Sequence, residues 1–420
     1  MYTTKPFIMI VLLILLFGCS SPIMPSDVQP LSTETSIPIL APSSTTSNAP
    51  LSLTDVVEVD YPMECINLTS TLLKDTLPEG MLVVSKELTD YYLFDLQTSK
   101  ILEIGNDQNR VFAPIISPNK KVLLARTCGN DECFYILRTV DRMIKTNIPY
   151  RNDWIPNRWL DNEHIEVLTT TEPHDIVIFN PFTDEEKRVN LNIPNPETMV
   201  QNADNSVIFA YIDASLKQVV FSDQVFHAEN QNGRLILWNL ETQKEIASLP
   251  PPAVSGSSLS SGWSPDAKEY VTPWPAGWGI TRLANELFVW DMEGNQEKLT
   301  DLNQRFPFAN IENPVWSPDS RYIAFWLKIS NAANPNTDEL RQWLAVVDTT
   351  TLDTKIYCLA NGVSSRLAYR VVWSPNGDQL IVNISFLYGK VKPILVDLIS
   401  QTQTEIPNPQ NIIVDDWMTQ

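Results

Sequence analysis

Trp316-Ser317-Pro318-Asp319 runs straight into an apolar stretch, Tyr322-Ile323-Ala324-Phe325, and the same phrase stands at Trp263-Ser264-Pro265-Asp266 and Trp373-Ser374-Pro375-Asn376. Recurrence at roughly 50 residues marks a chain built from like units, and this decides the fold before any single segment is weighed. Proline suits the second position of a tight turn because its φ is already set. Asp or Asn suits the next, because its side chain bonds the local backbone. The phrase therefore closes one strand and opens another.

Weaker copies follow from that alignment. Ile116-Ser117-Pro118-Asn119 precedes Val122-Leu123-Leu124-Ala125, Trp159-Leu160-Asp161-Asn162 precedes Ile165-Glu166-Val167-Leu168, and Asp213-Ala214-Ser215-Leu216 precedes Gln218-Val219-Val220-Phe221. A second marker comes later in the units, where an apolar strand closes on Asp or Asn: Phe94-Asp95, Phe179-Asn180, Trp238-Asn239, Trp290-Asp291, Val347-Asp348 and Val396-Asp397. Each unit reads as four short strands, and no segment sustains a helical period. That is the make-up of a propeller blade. The unit opening at Gly80 lacks a first strand of its own, whereas Ile412-Ile413-Val414-Asp415-Asp416-Trp417 looks like a first strand without successors. The expectation is an all-β propeller over residues 80–420 with seven four-stranded blades, closed by the C-terminal strand so that no sheet edge stays open. Six or eight blades are the alternatives, because the copies at Trp159 and Asp213 are degraded.

The pattern from Gly80 to Trp417 resembles the TolB-like and WD-type β-propeller family, whose repeats are written W-S-P-D-G. The glycine survives only as Gly377; Lys120, Ala267 and Ser320 replace it elsewhere, and a positive φ there would strain them. The resemblance implies the fold, and for TolB-like proteins it implies work through protein contacts. Trp263, Trp316 and Trp373 recur at one repeat position and are expected to pack between neighbouring blades.

Fifty acidic residues against thirty basic ones give a formal net charge of -20, which repels phosphate backbones, so nucleic acid is not an expected partner. Residues 1–18 read as a signal peptide, with Lys5 ahead of an apolar run from Phe7 to Phe17 that is too short to span a bilayer. Leu16-Phe17-Gly18-Cys19 resembles a lipobox, although Phe17 is bulkier than usual. The resemblance implies that Cys19 becomes a diacylated first residue and a membrane anchor. Residues 19–55, rich in Ser, Thr and Pro, are expected to form a disordered tether, with 56–79 as a lead-in to the propeller. The protein would then sit on a membrane facing out of the cytoplasm, in a periplasm or at the cell surface, as a monomer.

Four other cysteines fit an oxidising compartment. Cys128 and Cys133 bracket the turn-rich Gly129-Asn130-Asp131-Glu132 and are expected to form a disulfide; Cys65 and Cys358 either pair or stay free.

His164, His174 and His227 are the three histidines, none beside a nucleophile turn or in a His-Glu-x-x-His helix, and no glycine-rich loop opens a helix. Asp95, Asp291, Asp348 and Asp397 recur with the repeat and are explained by turns. No catalytic residue, metal ligand or cofactor is assigned. Loop length points elsewhere. Three consecutive units have long connections between their second and third strands, Ser222 to Gly233, Pro273 to Asn285 and Ser330 to Arg341. They carry Phe226, His227, Trp274 and Trp278, residue types that anchor protein partners or sugar rings. The expected role is a binding or scaffold module for a protein, peptide or glycan of the cell envelope. The alternative is a propeller hydrolase or lyase acting on envelope glycan or peptide, with its site in the channel or on the long-loop face.

Overall fold

The computed structural model describes residues 64–71, 80–86, 90–105, 110–129, 132–149, 151–169, 176–189, 210–213, 215–222, 235–249, 262–274, 285–306, 309–329, 341–359, 363–364, 371–385, 391–407 and 412–419. The signal-peptide stretch, Cys19 and residues 20–63 lie outside them.

Seven sheets follow one another, each an antiparallel meander. Blade 1 is composite: Ile413–Met418 lies beside Met81–Lys86, followed by Asp90–Asp95 and Ile101–Glu103. Blade 2 runs Arg110–Ile116, Leu123–Gly129, Glu132–Arg138, Met143–Pro149, and blade 3 runs Trp154–Trp159, Ile165–Thr169, Ile176–Asn180, Glu185–Val189. Blade 4 runs Ala210–Ile212, Gln218–Ser222, Leu235–Asn239, Lys244–Leu249. Blade 5 is Glu269–Trp274, Glu286–Asp291, Gln296–Lys298, its first strand reduced to a bridge from Trp263 to Tyr270. Blade 6 is Ala309–Trp316, Tyr322–Ile329, Arg341–Asp348, Thr354–Cys358, and blade 7 is Val372–Trp373, Gln379–Ser385, Val391–Asp397, Thr402–Glu405. A helix of four residues, Leu302–Arg305, stands between blades 5 and 6.

An apolar cluster fills each junction. Val83, Leu123 and Ile136 join blades 1 and 2, Leu124, Trp159 and Val167 join 2 and 3, and Ile178, Ile212 and Val219 join 3 and 4. Leu237, Trp263 and Tyr270 join 4 and 5, Leu287, Ile311 and Phe325 join 5 and 6, and Trp326, Trp373 and Leu380 join 6 and 7. Leu82, Ile381 and Trp417 close the ring between 7 and 1. The molecule is thus a seven-bladed β-propeller. With sheets covered on both faces, a strand loses the alternation of a half-exposed one: Ile323, Ala324, Phe325, Trp326 and Leu327 are all at most 1% exposed. Each such large side chain contributes about 1.5–3 kcal/mol by leaving water.

The repeated phrase does its work as a turn. The Ser117, Ser264 and Ser374 hydroxyls donate to Asn119, Asp266 and Asn376 at 2.8, 2.7 and 2.7 Å, and Ser317 does the same to Asp319. Each serine oxygen also accepts the N–H five residues on, from Val122, Glu269, Tyr322 and Gln379. Lys120, Ala267, Ser320 and Gly377 all have φ between 57° and 77°, so the position that glycine has left in three copies is left-handed in all four. In blade 4 the phrase starts one residue earlier than the expected Asp213: Ile212 takes the Trp place and Asp213 the Ser place, accepting the Gln218 N–H. A carboxylate can do what a hydroxyl does there, which hid the alignment.

The second marker is equally physical. Asp95, Asn180, Asn239, Asp291, Asp348 and Asp397 each accept the N–H two residues on, at 2.9–3.1 Å. Each also accepts a second N–H, three residues on in five blades and from Asn295 in blade 5. Blade 2 has no such acid. Its third strand ends on Arg138, whose buried guanidinium donates to the carbonyls of Glu103, Ile104 and Val140 at 2.7–3.1 Å.

Candidate functional site

Each meander starts at the axis, so its first-to-second and third-to-fourth turns fall on one face of the ring. The second-to-third connections and the links between blades fall on the other, the loop face. The three long connections of the sequence analysis leave and re-enter the ring there on consecutive blades, between Ser222 and Leu235, Trp274 and Glu286, and Ile329 and Arg341. Phe226, His227 and Trp278 lie outside the described residues, as does the side chain of Trp274, whose backbone ends the second strand of blade 5. The ends of these connections are hydrogen-bonded into the ring. Buried Glu286 accepts from the Thr300 hydroxyl at 2.6 Å and from the Leu302 and Asn303 N–H groups at 2.9 and 2.8 Å, satisfying the start of the short helix. Asn285 accepts the Ile311 N–H at 2.6 Å, tying blade 5 to blade 6.

Cys128 and Cys133 form a disulfide across the tip of the blade 2 hairpin, their Cα atoms 4.1 Å apart. Cys65 and Cys358 form a second one, with Cα atoms 5.4 Å apart.

The tryptophans are buried between blades, at 4–7% exposure for Trp263, Trp316 and Trp373. Three indoles also bond backward around the ring: Trp159 donates to the Ile115 carbonyl, Trp316 to Gly262 and Trp373 to Val315, each at 3.0 Å. In each case the acceptor directly precedes the Trp-position residue of the blade before. These side chains are structural posts.

The channel wall holds groups that the sequence did not single out. Four first strands carry a bulge at one place, with Asp415, Ala113-Pro114, Asn157 and Asn313-Pro314 as the extra residues. Bulges of this kind re-aim side chains. In blade 3 the bulge turns Asn157 and Arg158 onto Glu166, which is wholly buried. Asn157 donates to it at 2.6 Å, Arg158 Nε at 3.2 Å and the Ile212 N–H at 3.2 Å, while Arg158 also donates to the Ile212 carbonyl. Since Asp213 N–H bonds Gln218 across the sheet, the Ile212 amide and carbonyl face the axis, and this pair of side chains covers them. Burial pushes the Glu166 carboxyl up, against the opposing pull of the Arg158 charge and the hydrogen bonds from Asn157 and Ile212. Three donors already hold both its oxygens, so it serves as a clamp on blade 4.

His164 lies in the turn between the first two strands of blade 3, and its Nδ1 is 2.9 Å from Asp161 on the face opposite the long loops. His174 lies outside the described residues. Among the described residues, no group of three or more His, Cys, Asp or Glu side chains could hold a metal ion, and no helix is long and apolar enough to cross a membrane.

No protein family model matches the chain, and no curated protein matches its sequence. Solved structures are similar over about four-fifths of the chain. TolB from Acinetobacter baumannii is 14% identical, with 80% of this chain and 82% of that one covered and a TM-score of 0.40. An oligogalacturonate lyase in complex with manganese is 10% identical, covering 79% and 85% with a TM-score of 0.47. The oligogalacturonate lyase of Vibrio parahaemolyticus is 9% identical, covering 81% and 84% with a TM-score of 0.43. Likenesses this distant carry no statement about chemistry.

Proposed function

We propose that this chain is a lipid-anchored, extracytoplasmic propeller that acts as a binding or scaffold module for a protein, peptide or glycan of the cell envelope, through the loop face of blades 4 to 6. One observation carries this reading. The repeated Ser, Asp and Trp side chains are engaged in turns and blade contacts, and the long connections open together on one face of consecutive blades. A rigid ring with variable loops on one sector is the arrangement in which recognition is carried by loops. The anchor at Cys19 and the residues after it would tether the folded part to the bilayer.

The test is capture from a native envelope extract with the full lipidated chain and with Trp274→Ala/Trp278→Ala. Loss of the captured species with the double variant, at unchanged folding, supports the loop face. Equal recovery removes it. Replacement of Cys19 by Ser is expected to move the protein from the membrane to the soluble fraction of the same extract.

A further inference from the structure

Residues 64–71 belong to no meander, yet they are threaded across two blades. Ile66–Asn67 adds in parallel to Tyr357 and Cys358 on the outer edge of blade 6, and Thr69–Ser70 adds in parallel to Thr402 and Gln403 on the outer edge of blade 7. Between them Leu68 is buried in the cluster that joins those blades. The Thr69 N–H donates to the Gln401 carbonyl at 3.0 Å, the Thr71 N–H to Gln403 at 2.9 Å, and the Thr71 and Thr404 hydroxyls meet at 2.5 Å. Each pairing is only two residues long, well below the usual strand, and ordering such a segment opposes its few bonds. What fixes it is the Cys65–Cys358 disulfide, which closes a separation of 293 residues. Both cysteines are half-buried and within reach of solvent.

We propose that this disulfide is a latch, and that opening it uncovers a docking strip for an extended peptide strand along the outer edges of blades 6 and 7. The chemistry is thiol–disulfide exchange with an external dithiol. Its two sulfurs become a disulfide, the Cys65–Cys358 bond breaks, and the two protons and two electrons pass to give two cysteine thiols. The strap then leaves, and the fourth strands Thr354–Cys358 and Thr402–Glu405 present unpaired N–H and C=O groups. The strap itself defines the occupant: a short extended segment running parallel to these strands, recognised through its main chain, with an apolar side chain in the place of Leu68. The ring stays closed, because Ile413–Met418 pairs with Met81–Lys86 independently of the strap. Cys128–Cys133 is the contrast. It joins directly opposed residues of a hairpin paired along its whole length, so breaking it frees no segment.

The latch does not depend on the loop-face reading, and its test is separate. Hydrogen exchange is followed on the full chain as oxidised wild type, as wild type reduced with dithiothreitol, and as the variants Cys65→Ser/Cys358→Ser and Cys128→Ser/Cys133→Ser. Exchange over 66–71, 354–358 and 402–405 is expected to rise by about tenfold or more in the reduced protein and in the first variant, with 81–86 and 413–418 unchanged. The second variant should match oxidised wild type at these positions. A labelled peptide of residues 64–71 carrying Cys65→Ser should bind the first variant and restore protection at 354–358 and 402–405, and should not bind oxidised wild type. Unchanged exchange on loss of the disulfide overturns the latch, as does equal acceleration throughout the ring. Released edges that leave the peptide unbound overturn the docking strip.

Discussion

Gly80→Ala probes ring closure at a single atom. Gly80 has φ +134° where the second strand of blade 1 begins, and a Cβ placed there would lie 2.6 Å from the Met418 carbonyl oxygen and 2.7 Å from the Trp417 indole nitrogen. Both obstacles belong to the C-terminal strand, and Trp417 is wholly buried, so neither can swing away. Two costs add: a backbone region that only glycine occupies readily, about 1–3 kcal/mol, and overpacking of a filled core, about 1–3 kcal/mol. The middle of that sum is about 4 kcal/mol, a large share of the roughly 5–15 kcal/mol that holds a domain. Gly377→Ala is the control. It has φ +77°, and the nearest atom to an added Cβ is Pro318 Cδ at 3.8 Å, so only the left-handed penalty applies, about 1–2 kcal/mol. Lys120, Ala267 and Ser320 already bear that penalty in other blades. Urea unfolding followed by tryptophan fluorescence gives both values from midpoint and slope. Equal midpoints for the two variants would mean that the C-terminal strand is not seated on Gly80, and the composite blade would have to be abandoned.

Ala267→Gly relieves the same strain from the other side and should raise stability by about 0.5–1 kcal/mol after the extra freedom of glycine in the unfolded chain is subtracted, whereas Ser320→Gly should gain less because it also removes the hydroxyl that accepts the Asp266 N–H at 3.1 Å; thermal melting reads both. The turn aspartates set the acid limit. Burial pushes Asp291, Asp348 and Asp397 up, but hydrogen bonds from Asn295, Arg321 and Gln379, together with backbone N–H groups, outweigh it and hold all three below the usual carboxylate range. A depressed folded pKa contributes stability that is complete above the unfolded value, about 3.9, and is lost as pH falls through the folded one. Urea midpoints should therefore drop below about pH 4. Asn at these three positions, as nature has at Asn180 and Asn239, should keep the turns and flatten the drop; an unchanged acid profile would refute the assignment.

What was legible in the sequence is what repeats. Trp-Ser-Pro-Asp and the closing Asp or Asn are visible because the same backbone bonds must be satisfied once per blade, and only a few residue types satisfy them. The composite blade was legible too, since Ile412 to Trp417 has the make-up of a first strand with nothing after it. The bulge at Asn157 was not, because an extra residue in a first strand leaves no compositional mark. Nor was the clamp of Glu166 on Ile212, which needs the relative placement of two blades. The strap stayed hidden for a related reason: parallel pairing over two residues imposes no alternation, and Leu68 alone is no signal. Arg138 was missed because it replaces an acceptor side chain with a donor serving carbonyls from the blade before.

The two faces of the ring differ in what they demand of the chain, and this bears on where function can reside. On the turn face blades 4 to 7 each spend a Ser or Asp and an Asp or Asn on fixed backbone bonds, and blades 1 to 3 spend at least one such residue, so a change of length there breaks a turn. The loop face carries no such repeated side-chain bonds among the described residues. Its second-to-third connection is two residues between Gly129 and Glu132 in blade 2, but twelve between Ser222 and Leu235 in blade 4. A sixfold lengthening costs only about 1.6 kcal/mol in closure entropy, since the cost grows with the logarithm of length. Seven apolar junctions sustain that easily. The fold neither requires the long connections nor penalises them much, which leaves their residues free to be chosen for contact with something outside the chain.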